Sequence, residues 1–176
     1  MPSSSDRGGP GGSAAPGGPG GSGKSGGLGG SGRSGGPGGS VLPVGLRASV
    51  RAVVTEADTA AAMGSGDVPV LATPRLLALA EAATVAAVGP SLGAGFTSVG
   101  TSAALEHRRA SPLGAEIDVE AELTEVDGQR LVFSFIARAA DTDEDVVVGA
   151  GTVERVVLDR ARFIARAAQN PAVDRG

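Results

Sequence analysis

The chain has 176 residues, a net charge of −4, one histidine and no cysteine, tryptophan or tyrosine. An acidic balance with four phenylalanines as the only aromatic residues excludes the basic, base-stacking surface of a nucleic-acid binder. Without cysteine there are no disulfides or thiolate metal sites, and a single histidine among dispersed carboxylates offers no metal-ligand set, so neither a metal nor a cofactor is expected.

The first forty residues are almost entirely Gly, Ser, Pro and Ala, with scattered Asp6, Arg7, Lys24 and Arg33. Such a tract cannot bury a core, and residues 1–40 read as a disordered tail. Within it, Gly18 to Ser25 matches the phosphate-loop pattern GxxxxGK[ST] letter for letter. A phosphate loop needs an apolar strand to deliver it and a helix to follow it. Both flanks here are Gly-rich, so the match reads as a flexible linker. Residues 41–168 fit one compact domain of ordinary size, and 169–176 read as a disordered C-terminus. No stretch reaches the roughly 20 apolar residues that span a bilayer, and the N-terminus lacks a signal peptide's apolar segment. The expectation is a soluble cytoplasmic protein with no membrane partner.

From Leu46 to Thr55, Leu46, Ala48, Val50, Ala52 and Val54 alternate with Arg47, Ser49 and Arg51, the period of a half-buried strand. Glu56 to Val70, with Gly64, Gly66 and Pro69, reads as a loop with one turn around Thr59 to Met63. Thr73-Pro74 then starts a helix, Thr as N-cap and Pro at the first helical position, running to Val88 before Gly89-Pro90 stops it. This helix is apolar nearly all round and is expected to be buried and wrapped by other elements. Glu81 is the single charge between Leu76 and Val88. A buried carboxylate there carries a desolvation cost that calls for a function or an ion pair, and Arg75 is poorly placed along the helix to supply the latter.

Four further strands are expected, over Thr97 to Arg109, Ala115 to Val126, Gln129 to Ala140 and Val146 to Leu158. Asp127-Gly128 marks a tight hairpin between two of them. Ile117, Val119, Ala121 and Leu123 alternate with Glu116, Asp118, Glu120 and Glu122, giving one apolar and one wet face. Asp159 to Ala168 reads as a short amphipathic helix with Phe163 and Ile164 able to pack on the sheet.

Strand, loop, helix and four antiparallel strands is the element order of an α+β hot-dog fold, a curled sheet around one central helix. Val70-Leu-Ala-Thr73-Pro, Glu81 eight residues past Thr73, Gly100-Thr-Ser followed by His107, and Gly149-Ala-Gly-Thr152-Val-Glu154-Arg155 together resemble the fluoroacetyl-CoA thioesterase-like branch of the hot-dog superfamily. The resemblance covers about Leu46 to Phe163. It implies hydrolysis of an acyl-CoA thioester by a homodimer with sites along the subunit interface. It also implies a catalytic set of Thr73, Glu81 and His107, with Gly100 shaping the acyl pocket and Arg155 near the bound thioester or CoA. One departure stands out: the aromatic residue that gates the acyl pocket in the fluoroacetyl-specific enzyme falls where this chain has Asp67-Val68-Pro69-Val70. Fluoroacetyl selectivity is therefore not implied.

Taken without the resemblance, each residue has a plainer reading. Thr73 is a helix cap, Glu81 an edge-facing or ion-paired carboxylate, His107 an exposed side chain at a strand end, and Arg155 a strand-surface charge. With it, an imidazole that titrates near pH ~6.5 is suited to take a proton from Thr73 or water and return one to the leaving thiolate. Phosphate binding by Arg108, Arg109 or Arg155 is a further option. The alternatives from other classes are a non-catalytic acyl-CoA binding or sensing module and a hot-dog hydratase or dehydratase.

Overall fold

The computed structural model describes residues 42–142 and 144–169. The tail, its phosphate-loop match and residues 170–176 lie outside that span. Strand β1 (Arg47–Val53) leads through a short helix α1 (Ala60–Met63) to the long helix α2 (Thr73–Val88). Strands β2 (Phe96–His107), β3 (Glu116–Asp127), β4 (Arg130–Ala139) and β5 (Val147–Asp159) follow, and helix α3 (Arg160–Gln169) closes the described chain. The strands form one antiparallel sheet in the order β1-β3-β4-β5-β2, leaving β1 and β2 as its edges. Helix α2 lies against all five strands. This is the hot-dog arrangement expected from the element order.

The alternation in β3 works as read. Ile117, Val119, Ala121 and Leu123 are fully buried, while Glu116, Asp118, Glu120 and Glu122 lie on the other face, where Arg47 and Arg51 of β1 pair with Glu120, Glu122 and Asp118. Leu76, Leu79, Ala80 and Ala83 of α2 pack on this apolar face with Phe135, Ala137 and Val153. Further along the helix, Ala87 and Val88 join Leu123, Leu131, Phe133 and Val157 in a second cluster. Phe133 is the largest fully buried side chain, and truncating a buried Phe to Ala costs about 3–5 kcal/mol.

Four expectations shift. Helix α2 is not wrapped on all sides: Pro74, Ala78, Ala82, Val85 and Ala86 are exposed along a face that the sheet does not reach. An all-round apolar helix therefore has its second face uncovered within one chain. Phe163 and Ile164 do not pack on the sheet but remain 44% and 58% exposed. The reason is local. α3 starts at once after β5, with the Arg160 N–H bonded to the Gly95 carbonyl and the Asp159 carboxylate capping the Arg162 N–H, and none of its described residues is buried. The β3–β4 turn is centred on Gly128-Gln129, one residue later than read, because Asp127 still pairs with Arg130; Gly128 takes a positive φ of 57°.

The fourth shift matters for the site. The N-cap of α2 is Ala72, and Thr73 is its first helical residue. Tertiary hydrogen bonds set that boundary: Leu71 N–H donates to the Ser111 carbonyl (2.8 Å) and Ala72 N–H to the Asp58 carbonyl (2.9 Å), which hold the chain extended up to Ala72. The Thr73 hydroxyl makes no capping bond and is free for another partner.

Candidate active site

That partner is His107. The last residue of β2 places its imidazole Nδ1 3.1 Å from Thr73 Oγ1, the direction of the bond being set by the tautomer. With the ring proton on Nε2, the hydroxyl donates to Nδ1, which is the arrangement needed for the ring to withdraw the hydroxyl proton. Nε2 is buried and has no hydrogen-bond partner among the described residues. Burial pushes the His107 pKa below its ordinary value, with the Arg109 backbone pulling weakly the other way. The imidazole is thereby held neutral, the form that accepts a proton. Thr73 and His107 border a cavity of about 280 Å³, also lined by Ala60, Val70, Leu71 and Arg109.

Glu81 belongs to a second cluster. Eight residues beyond Thr73 on a helix that rises about 1.5 Å per residue, it lies roughly 12 Å away along the axis. Its carboxylate packs over Gly100 and sits 3.7 Å from Nη1 of Arg155. Arg155 is nearly inaccessible, with 6% of its side chain exposed, whereas Glu81 is 43% exposed. The expected buried carboxylate is thus half-open, and the buried member of the pair is the arginine. Nε of Arg155 donates to Ser98 Oγ (3.0 Å) and Nη2 to the Ser98 carbonyl (2.9 Å), so Ser98 fixes the guanidinium that faces Glu81. Desolvation pulls the Arg155 pKa down, and the Glu81 charge opposes that. Neighbouring Glu154 points away and forks to Arg130 through two bonds of 2.9 Å.

Glycines make this packing possible. A Cβ on Gly100 would overlap the Glu81 carboxylate oxygen, so glycine lets the acid lie over the strand without swinging aside. A Cβ on Gly149 would come within 2.9 Å of both the Glu106 carbonyl and Leu76 Cδ2, and one on Gly151 would overlap the Ala104 backbone. The Gly149-Ala-Gly151 motif therefore lets β5 lie tightly against β2 and α2.

One device is invisible to spacing arguments. Gly100 and His107 are seven residues apart, so in a regular strand they would face opposite sides. The β2–β5 register slips between Gly100 and Ser102, leaving Thr101 as an extra residue, and the bulge brings both positions to the helix side. Ser98 was likewise not legible as part of the site, because nothing local in the sequence ties it to Arg155.

Among the described residues no group of three or more His, Cys, Asp or Glu side chains is gathered as metal ligands would be. One chain thus presents two half-sites. Thr73 with His107 can pass a proton, and Glu81 with Gly100 and Arg155 holds a fixed charge beside an open strand.

A model of the fluoroacetyl-CoA-specific thioesterase family matches residues 54–161, more than half of the chain. The chain is 38% identical over 100 residues to the fluoroacetyl-CoA thioesterase of Streptantibioticus cattleyicolor, across 57% of this chain and 69% of that protein. A solved structure of a fluoroacetyl-CoA thioesterase aligns with a TM-score of 0.68 at 31% identity, over 76% of this chain and all of that one. A hot-dog-like protein from Thermanaerovibrio acidaminovorans, at 23% identity and a TM-score of 0.66 over 74% of this chain and 94% of its own, shares the fold. Both half-sites fall inside the matched span, and the chain belongs to the fluoroacetyl-CoA-specific thioesterase family.

Proposed function

We propose that the protein hydrolyses an acyl-CoA thioester to a free acid and CoA, with Thr73, His107 and Glu81 as its catalytic residues. The observation that carries this reading is the hydroxyl–imidazole pair of Thr73 and His107, 3.1 Å apart beside a cavity, in a chain of a thioesterase family. The reaction adds water across the C–S bond. His107 takes a proton from the attacking hydroxyl, of Thr73 or of water, and returns one to the departing thiolate. The first turn of α2, which has no side-chain cap, offers its positive end to the developing oxyanion.

Glu81 reaches this chemistry through a second copy of the chain. Strand β2 is a sheet edge, its residues 101–104 are exposed, and the uncovered α2 face of Ala78, Ala82 and Val85 is likewise open. Antiparallel pairing of two β2 edges about a two-fold axis covers both surfaces and exchanges the strand ends. The Gly100 end of one protomer then approaches the His107 end of its partner. In this homodimer, Glu81 of one chain supplies charge to the Thr73–His107 pair of the other, while Gly100 and Arg155 shape and polarise the acyl side.

The acyl group is not selected for fluorine. The segment before α2 is Asp67-Val68-Pro69-Val70 and offers no aromatic gate. The protein acts in the cytoplasm, where CoA esters are available. No described helix is long and apolar enough to cross a membrane.

Free-thiol release from short, medium and aryl acyl-CoAs, measured for the wild type and for Glu81→Gln, tests the proposal. Turnover that disappears in the variant supports it and names the acyl class. CoA esters that bind without turnover would replace it with an acyl-CoA binding module.

A further inference from the structure

The cavity at Thr73 and His107 has a positively charged wall that the hydrolytic step does not use. Arg108 and Arg109 follow His107 directly and both line it. Their surroundings differ. Arg108 is already spoken for, its Nε and Nη2 donating to Glu106 at 3.1 and 2.8 Å. Arg75, at the start of α2, is paired with Asp58, and Arg155 is buried against Ser98 and Glu81. Arg109 is exposed, and among the described residues no carboxylate lies within ion-pair distance of it. It also borders a second cavity of about 500 Å³ that carries Asp141, and no ion pair forms across that space.

The position of Arg109 is fixed. The backbone N–H groups of Arg108 and Arg109 both donate to the Val148 carbonyl, at 2.8 and 3.1 Å. Two residues later the Ser111 carbonyl accepts the Leu71 N–H at 2.8 Å, and Val70 bridges to Pro112. The segment is therefore stitched to β5 on one side and to the approach to α2 on the other. That fixes the Arg109 backbone beside the Thr73–His107 cavity and leaves its unpaired guanidinium free to reach an anion there. A guanidinium presents a planar fork of donors that matches the oxygens of a phosphate or carboxylate. The cavity is too small for a whole acyl-CoA, and Arg109 stands at its rim, within reach of a charged group on the part of the substrate left outside.

We propose that Arg109 is the anion-binding residue of the thioester site, forking two oxygens of a CoA phosphate or of a carboxylate at the far end of the acyl group. The inference rests on the thioesterase reading above. The two sources are separated by substrate choice. Butyryl-CoA carries the phosphates, with the rest of the nucleotide arm, that butyryl-N-acetylcysteamine lacks, so a loss confined to the first and specific to Arg109→Gln reports the phosphates, whereas succinyl- and butyryl-N-acetylcysteamine differ in the acyl carboxylate.

The experiment measures kcat/KM of the wild type, Arg109→Gln and Arg109→Lys on these three thioesters. If Arg109 holds a phosphate, Arg109→Gln lowers the ratio of butyryl-CoA to butyryl-N-acetylcysteamine about tenfold through KM, the size expected for a lost charge-assisted bond. If it holds an acyl carboxylate, the succinyl-to-butyryl ratio falls by a similar factor instead. In either case Arg109→Lys, which keeps the charge and loses the fork, recovers part of the loss. Both ratios staying within about twofold of wild type while the wild type turns over would overturn the Arg109 assignment alone. A wild type that turns over none of the three would remove the thioesterase reading and this inference together.

Discussion

The two half-sites on α2 are built on opposite principles. At the helix start, Thr73 and His107 form an uncharged pair, one side chain exposed and the other partly buried, joined by a single hydrogen bond of 3.1 Å. Two turns on, Glu81 is one end of a charged chain that runs through a buried Arg155 to Ser98, packed over the bare backbone of Gly100. The first arrangement leaves a proton free to move, and the second fixes a charge and leaves its outer side open. A hydrolytic site needs both properties, and one chain supplies them at separate places.

The sharpest way to break the comparison is to remove a member of the first pair. His107→Ala is expected to lower kcat on the best acyl-CoA by about 10²–10⁴-fold, the range of general acid–base catalysis. A loss below about tenfold would show that the pair is not the proton-transfer centre. Glu81→Gln keeps the shape and removes the charge. A fall of about 10²-fold in kcat is expected for a carboxylate whose work is electrostatic, with a lowered melting temperature because buried Arg155 loses its counter-charge. Gly100→Ala sets a methyl group against that carboxylate. The carboxylate is the tip of a flexible, half-exposed side chain and should swing aside, so kcat in the steady-state assay drops while denaturant titration shows a loss of less than about 1 kcal/mol.

Smaller effects sharpen the account. Burial favours the neutral imidazole, so the His107 pKa lies below 6.5 and the neutral base persists as pH falls until that lowered value is reached. In the proposed dimer, Glu81 of the partner subunit opposes this by favouring the charged ring, so the acid limb of kcat/KM against pH should move to lower pH in Glu81→Gln, and a limb that moves up would contradict the pairing. The same shift means the folded state binds fewer protons than the unfolded one. Its contribution to stability is present above the unfolded value and is lost as pH falls through the folded one. Last, Thr73→Ala should cost less than about 0.5 kcal/mol in stability, against about 1 kcal/mol for a lost N-cap, because the hydroxyl faces His107 and caps nothing.

The parts of this molecule that were legible in the sequence are those fixed by local repetition. The alternation of Ile117 to Leu123 with acidic residues can only be a one-sided strand, and the run from Leu76 to Val88 between Pro74 and Gly89 can only be a helix. What escaped was set by contacts distant in the chain. Asp58 and Ser111 decide that Ala72, not Thr73, caps α2, and the bulge at Thr101 decides which way His107 faces. The half-exposure of Glu81 follows from the α2 face left uncovered within one chain, which periodicity cannot report because an all-round apolar helix has no marked face. Thr73, Glu81, Gly100 and His107 were singled out by the family resemblance, and nothing in their spacing reveals that they fall into two clusters within one chain.

The most direct test of the account is complementation between two disabled variants. Glu81→Gln keeps an intact Thr73–His107 pair and His107→Ala keeps an intact Glu81, so a mixed dimer has one complete site and one doubly broken site. Co-refolding equal amounts should place about half of the chains in mixed dimers and restore about a quarter of wild-type turnover, although each variant alone is inactive. A mixture that forms dimers and yet stays as inactive as its parents would show that the two half-sites do not meet across a subunit interface.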